Sequence, residues 1–140
     1  KVVSALQESP QTNVAILVNP FNKRNSPSDI KVVLNENNEI MYLSRADIPS
    51  DARVENPTLL KAYHIVPFRK DFLLQYSKWG KSKLEQIEFN EYLRILEKGY
   101  TIKAVHVDSD SISVDTAEDL DYVIDKMKSD KLILEYSNKH

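Results

Sequence analysis

Cysteine is missing from the sequence altogether, and glycine nearly so, with two among 140 residues. Without cysteine there is no disulfide, thiolate zinc site, iron–sulfur cluster or cysteine nucleophile. The absence suits a reducing, cytoplasmic setting. Glycine typically makes up about 7% of a chain, yet only Gly80 and Gly99 occur. Phosphate cradles need several glycines within a few residues, so this chain carries none. Charge of one sign is lacking too: 19 Lys and Arg stand against 21 Asp and Glu, a net −2. That balance argues against nucleic acid or an anionic membrane as partner. Even the longest apolar runs are short, such as Val14 to Val18. A bilayer span needs about 20 residues, so neither a membrane span nor a signal peptide is read.

What remains is enough for one domain, since 41% of the residues are apolar. Val2 to Glu8 reads as a helix stopped by Pro10. Val14–Val18 is a continuous apolar run that suits a buried strand, followed by loop chemistry from Asn19 to Ser28. Ile30–Leu34 and Ile40–Leu43, separated by Asn35–Asn38, predict a β-hairpin. Arg45–Pro57 reads as a loop, and Ala62–Phe68 as a strand limited by Pro67. Asp71–Trp79 predicts a short helix with Gly80 as its C-cap. Ser82 and Glu85 form a capping-box signature, opening a helix expected to run through Leu84, Ile87, Leu93, Ile95 and Leu96 to Gly99. Thr101–Val107 reads as a strand. Thr116-Ala117-Glu118-Asp119 caps a helix to about Met127. Residues 1–130 then form the domain and 131–140 a tail. Strands alternating with helices around one hairpin give an α/β domain with a mixed sheet.

The residues that carry chemistry are scattered. His64, His106 and His140 lack the spacing of a zinc site. The acidic stretch from Asp108 to Asp115 has Ser113 where a calcium-binding EF-hand needs glycine, which excludes that loop. Asp115 stands between the apolar Ile112-Ser113-Val114 and the Thr116 cap. Carboxyl ends of strands are where open α/β sheets bind ligands, and a carboxylate there can hold Mg²⁺. It can equally just favour the positive end of a helix. Arg45 lies at a strand exit, where a guanidinium can grip a carboxylate, or simply face solvent. Glu85, Glu88 and Glu91 crowd one helix, and the default expectation is a solvated surface.

In order, these segments resemble a known family. Ile30-Lys31-Val32-Val33-Leu34 with Met41-Tyr42-Leu43-Ser44-Arg45-Ala46-Asp47-Ile48-Pro49 is similar to the "VKVVL…YFSRAxIP" stretch of 3-deoxy-manno-octulosonate cytidylyltransferases. Phe68-Arg69, Phe72-Leu73 and Trp79 resemble its "YR…FL…W" segment. Leu84-Glu85-Gln86-Ile87-Glu88 with Glu91, Leu93 and Arg94 resembles "PLEQIExxExLR", and Val114 to Leu120 resembles "VDTPEDL".

The resemblance implies a Rossmann-like nucleotide-diphospho-sugar transferase fold, represented by its second half. The glycine-bearing nucleotide loop and a first metal-binding aspartate would belong to the other half. The implied reaction transfers CMP from CTP to a 3-deoxy-2-ulosonic sugar acid and releases pyrophosphate. In-line positioning and charge neutralisation by Mg²⁺ would drive it. Asp115 matches the second metal-binding aspartate, while Arg45, Glu85 and Gln86 match positions lining the sugar pocket. A homodimer is implied as well. The sequence departs from the family at Ala62, His64, Val66 and Pro67, where a sugar-contacting histidine, a glycine and a tyrosine are usual, and at Lys83. These departures bear on the choice of sugar. A non-catalytic sugar-binding or interaction module that kept the fold is the alternative.

Overall fold

The computed structural model describes residues 1–108, 114, 116–130 and 132–133. The chain divides into two compact units, 1–108 and 109–140. In the first unit, helix α1 (Val2–Glu8) leads into strand β1 (Ala15–Phe21). The hairpin β2 (Lys31–Leu34) and β3 (Ile40–Ser44) is next, then β4 (Leu59–Tyr63). Three short helices succeed it: α2 (Lys70–Tyr76), α3 (Lys83–Glu88) and α4 (Leu93–Glu97). Strand β5 (Lys103–His106) completes the unit. The sheet is mixed, in the order β3-β2-β4-β1-β5, with β1 and β5 parallel and the other pairs antiparallel. The second unit contains α5 (Ala117–Met127), capped as the sequence predicts by Thr116 and Asp119.

Alternation along β1 builds two cores. Val14, Ile16 and Val18 join Val32, Leu43, Ala62, Leu93 and Ile95 in the main one. Ala15 and Leu17 meet Val2 and Leu6 of α1 and Val105 in a smaller one. The hairpin turn forms as expected. The Asn35 side-chain oxygen accepts the Asn37 and Glu39 N–H groups, and Asn38 takes the left-handed conformation asparagine tolerates.

Four boundaries differ from the sequence reading. Strand β1 continues through Pro20 to Phe21, because β5 pairs only with Ala15–Val18 and leaves β1 an edge beyond that point. Strand β4 begins at Leu59 and ends before His64, so residues 64–67 leave the ladder. Helix α2 stops at Tyr76, with Ser77 as its C-cap in place of Gly80. The expected long helix to Gly99 is two helices, α3 and α4, broken where Phe89 turns left-handed (φ 49°). Asn90 then bonds the Tyr92 N–H through its own side chain, a local alternative to helix that asparagine favours. Gly99 is a terminator: at φ 78° it closes a Schellman motif, with Gly99 N–H on Leu96 O and Tyr100 N–H on Ile95 O.

Candidate functional site

Helix α3 gathers three of the four candidate site residues. Ser82 caps it, accepting the Glu85 N–H at 3.4 Å while Glu85 Oε2 accepts the Ser82 N–H at 2.9 Å. The Glu85 side chain then turns inward and is buried. There it meets Arg94 of α4 in a fork-to-fork pair, Nε to Oε2 at 2.7 Å and Nη2 to Oε1 at 2.5 Å. The Arg94 guanidinium also donates to the Trp79 carbonyl at 3.1 Å and lies 4.8 Å from the centre of the Tyr76 ring. Its hydrogen bonds hold the Glu85 carboxyl below the usual carboxylate range, against the opposing effect of burial. The expected solvated glutamate is thus an internal anion, because α4 brings an arginine over it.

Arg45 reaches α3 from the end of β3. Its Nε donates to Glu88 O at 2.9 Å, one Nη to Pro27 O at 2.7 Å and the other to Phe89 O at 3.2 Å. It thereby satisfies carbonyls that a helix C-terminus leaves open. Glu88 reciprocates: its carboxylate accepts from Ser44 Oγ (2.7 Å), Arg45 N–H (3.0 Å) and Tyr42 Oη (3.3 Å). Burial pushes the Glu88 carboxyl up, but these donors outweigh it and the net shift is downward. A guanidinium carries five N–H donors. Three are engaged here, by the carbonyls of Glu88, Pro27 and Phe89.

Beneath Arg45 lies a cation that sequence reading passed over. Lys31 is fully buried. Its ammonium donates to Ser26 O (2.7 Å), Asp29 O (2.9 Å) and Arg45 O, with Asp47 Oδ1 at 3.5 Å. Lysine has three donors, and all three are used. Asp29 in turn pairs with Lys61 and accepts from Ser26 Oγ. Burial raises the Asp29 carboxyl, and these partners bring it below its ordinary value. A lysine inside an apolar strand pattern is the one signal that could have revealed this cage.

Gln86 is exposed, with its amide donating to Ser82 O at 3.2 Å. With Lys81, Glu85, Phe89, Asn90 and Glu91 it lines an open cleft of about 440 Å³. Ala62 is buried in the main core and Val66 packs against it. The exposed His64 ring stacks on Tyr92 at 6.0 Å, and Lys83 opens α3 on the surface. Asp115 lies outside the described residues. Among the described residues no three His, Asp or Glu side chains gather as a metal site, and no helix is long and apolar enough to cross a membrane.

Three carboxylates with lowered values set an acid limit. Their ordinary values are 4.5 for Glu85 and Glu88 and 3.8 for Asp29. Because the folded values are depressed, their stabilisation is complete above the unfolded values and is lost as pH falls through the folded ones. The melting temperature is expected to hold from pH 7 to about 5 and to fall steeply below about 4. A Glu88→Gln variant should show a shallower fall. Thermal melts across pH 3–7 check this, and a flat profile would refute it.

Comparison with known proteins supplies the family. A family model described as cytidylyltransferase matches residues 1–115. The 3-deoxy-manno-octulosonate cytidylyltransferase of Fusobacterium nucleatum is 37% identical over 107 residues, 76% of this chain and 44% of that protein. Its counterpart in Leptospira interrogans is 40% identical over 106 residues, 76% of this chain and 42% of that protein. The solved structure of CMP:2-keto-3-deoxy-manno-octonic acid synthetase complexed with CTP superposes with a TM-score of 0.81 at 31% identity. That match covers 91% of this chain and 54% of the other. The chain spans about half the length of these relatives. With α1, the mixed sheet and the α3–α4 pair all inside the matched region, the chain belongs to the cytidylyltransferase family.

Proposed function

We propose that this chain provides the sugar-acid-binding half of an enzyme that transfers CMP from CTP to a 3-deoxy-2-ulosonic acid such as 3-deoxy-manno-octulosonate, releasing pyrophosphate. The observation that carries the reading is the convergence of Arg45, Glu85 and Gln86 on one six-residue helix, within a family match. Arg45 offers a guanidinium to the sugar carboxylate, and Gln86 and Glu85 offer the donors and acceptors that hydroxyls need. The Arg94 fork fixes Glu85 as a carboxylate, so it accepts from hydroxyls rather than donating. Asp115 is proposed to hold Mg²⁺, whose preference for carboxylate oxygen it matches, and the cation would neutralise phosphate charge. Two copies are proposed to pair, and the setting to be cytoplasmic. The cytidylyltransferase matches favour this reading over a non-catalytic module.

Calorimetric titration with 3-deoxy-manno-octulosonate tests it. Arg45→Lys keeps the charge and loses the fork. It is expected to weaken the sugar acid by roughly 10–150-fold, the equivalent of one charge-assisted contact of about 1.5–3 kcal/mol. Unchanged affinity in a folded variant would remove Arg45 from the site.

A further inference from the structure

Phe89 occupies the left-handed region at φ 49°, where asparagine or glycine is usual and a bulky residue is strained. The fold uses only its backbone: its N–H bonds Glu85 O and its carbonyl accepts from Arg45. Glycine would make both bonds without strain. The ring itself is 80% exposed, on the rim of the cleft. Asn90, next in sequence, lines the same cleft and is 2% exposed. Its Oδ1 accepts the Tyr92 N–H at 3.0 Å, while its Nδ2 has no hydrogen-bond partner among the described residues. Buried donors are almost always satisfied, so an orphan beside a cleft points to a missing acceptor. Lys81 and Gln86 supply a cation and an amide on the same cleft. An aromatic face, a cation and amide donors together suit a ring with an apolar C–H face, hydroxyl edges and a carboxylate.

We infer that Phe89 and Asn90 determine specificity for the sugar acid, Phe89 as a platform for the ring's C–H face and Asn90 as a donor to one of its oxygens. The inference rests on the sugar-acid reading proposed above, two of whose residues, Glu85 and Gln86, line this cleft.

The decisive variant is Phe89→Gly, because it separates ligand from fold. Relief of backbone strain is expected to leave Tm unchanged or raise it by up to about 4 °C. Affinity of the 140-residue chain for 3-deoxy-manno-octulosonate, read by calorimetry, is expected to fall about tenfold. Asn90→Asp keeps the bond to Tyr92 and exchanges the donor for an acceptor, and should weaken the same ligand at least as much. Unchanged affinity in Phe89→Gly overturns the inference and leaves the pocket reading standing. A loss of affinity accompanied by a lower Tm also overturns it, since the ring would then serve the fold. If CTP weakens instead of the sugar acid, the platform belongs to a nucleobase and the inference fails. If the unmodified chain binds no sugar acid, the pocket reading falls and takes this inference with it.

Discussion

Lys31→Met is expected to remove about 3–5 kcal/mol of folding stability, the range for stripping one partner from a buried charge cluster. Methionine keeps an unbranched apolar stem, one atom shorter, and none of the donors. Three carbonyls, from Ser26, Asp29 and Arg45, lose their partner at once, and Asp47 loses its nearby cation. An exposed lysine would change stability by less than about 0.5 kcal/mol, so the two roles are easily told apart. Urea unfolding at pH 7 reads the difference, and a loss under about 1 kcal/mol would show that the cage is dispensable. Because the cage holds the Arg45 carbonyl, sugar-acid affinity should fall in any fraction that remains folded.

Asp115→Asn is expected to lower kcat on the order of 10²-fold or more, as for loss of an electrostatic contact made in the transition state. The measurement belongs in an enzyme carrying both halves of the relatives' length, with CTP, Mg²⁺ and the octulosonate. Stability should scarcely move. The start of α5 is already satisfied, with Thr116 Oγ1 accepting the Asp119 N–H and Asp119 Oδ2 accepting the Thr116 N–H, both at 3.1 Å. Asp115 can add only a helix-dipole contribution of about 0.3–1 kcal/mol. A strongly lowered Tm with kcat intact would make Asp115 a structural residue and withdraw it from the metal.

Local rules made much of this fold legible. The hairpin, both capping boxes and the apolar run of β1 each depend on residues close in sequence, and each forms where those residues place it. Failures came where distant residues decide. Glu85 and Glu88 read as surface charges because their partners, Arg94 across the Phe89 break and Ser44 and Arg45 on another element, have no local signature. The same break hid inside an apolar spacing that suits one long helix. Lys31 went unremarked because the carbonyls that hold it come from loops. At the candidate site, motif resemblance is what nominates Arg45, Glu85 and Gln86. Their shared attachment to α3 emerges only from the fold.

The clasp between Arg45 and the last carbonyls of α3 bears on how this region can vary in length. Each residue added to a helix rotates the downstream residues by about 100° and advances them by about 1.5 Å. One insertion inside α3 would swing Glu88 away from Ser44 and Arg45, and carry the carbonyls Arg45 reads out of reach. The same turn would separate the Ser82 cap from the Arg94 fork, both of which meet on Glu85. Substitutions at Ile87 or Phe89 face solvent and leave these bonds in place. The α3 segment is therefore open to changes of side chain at its solvent-facing positions and closed to changes of length.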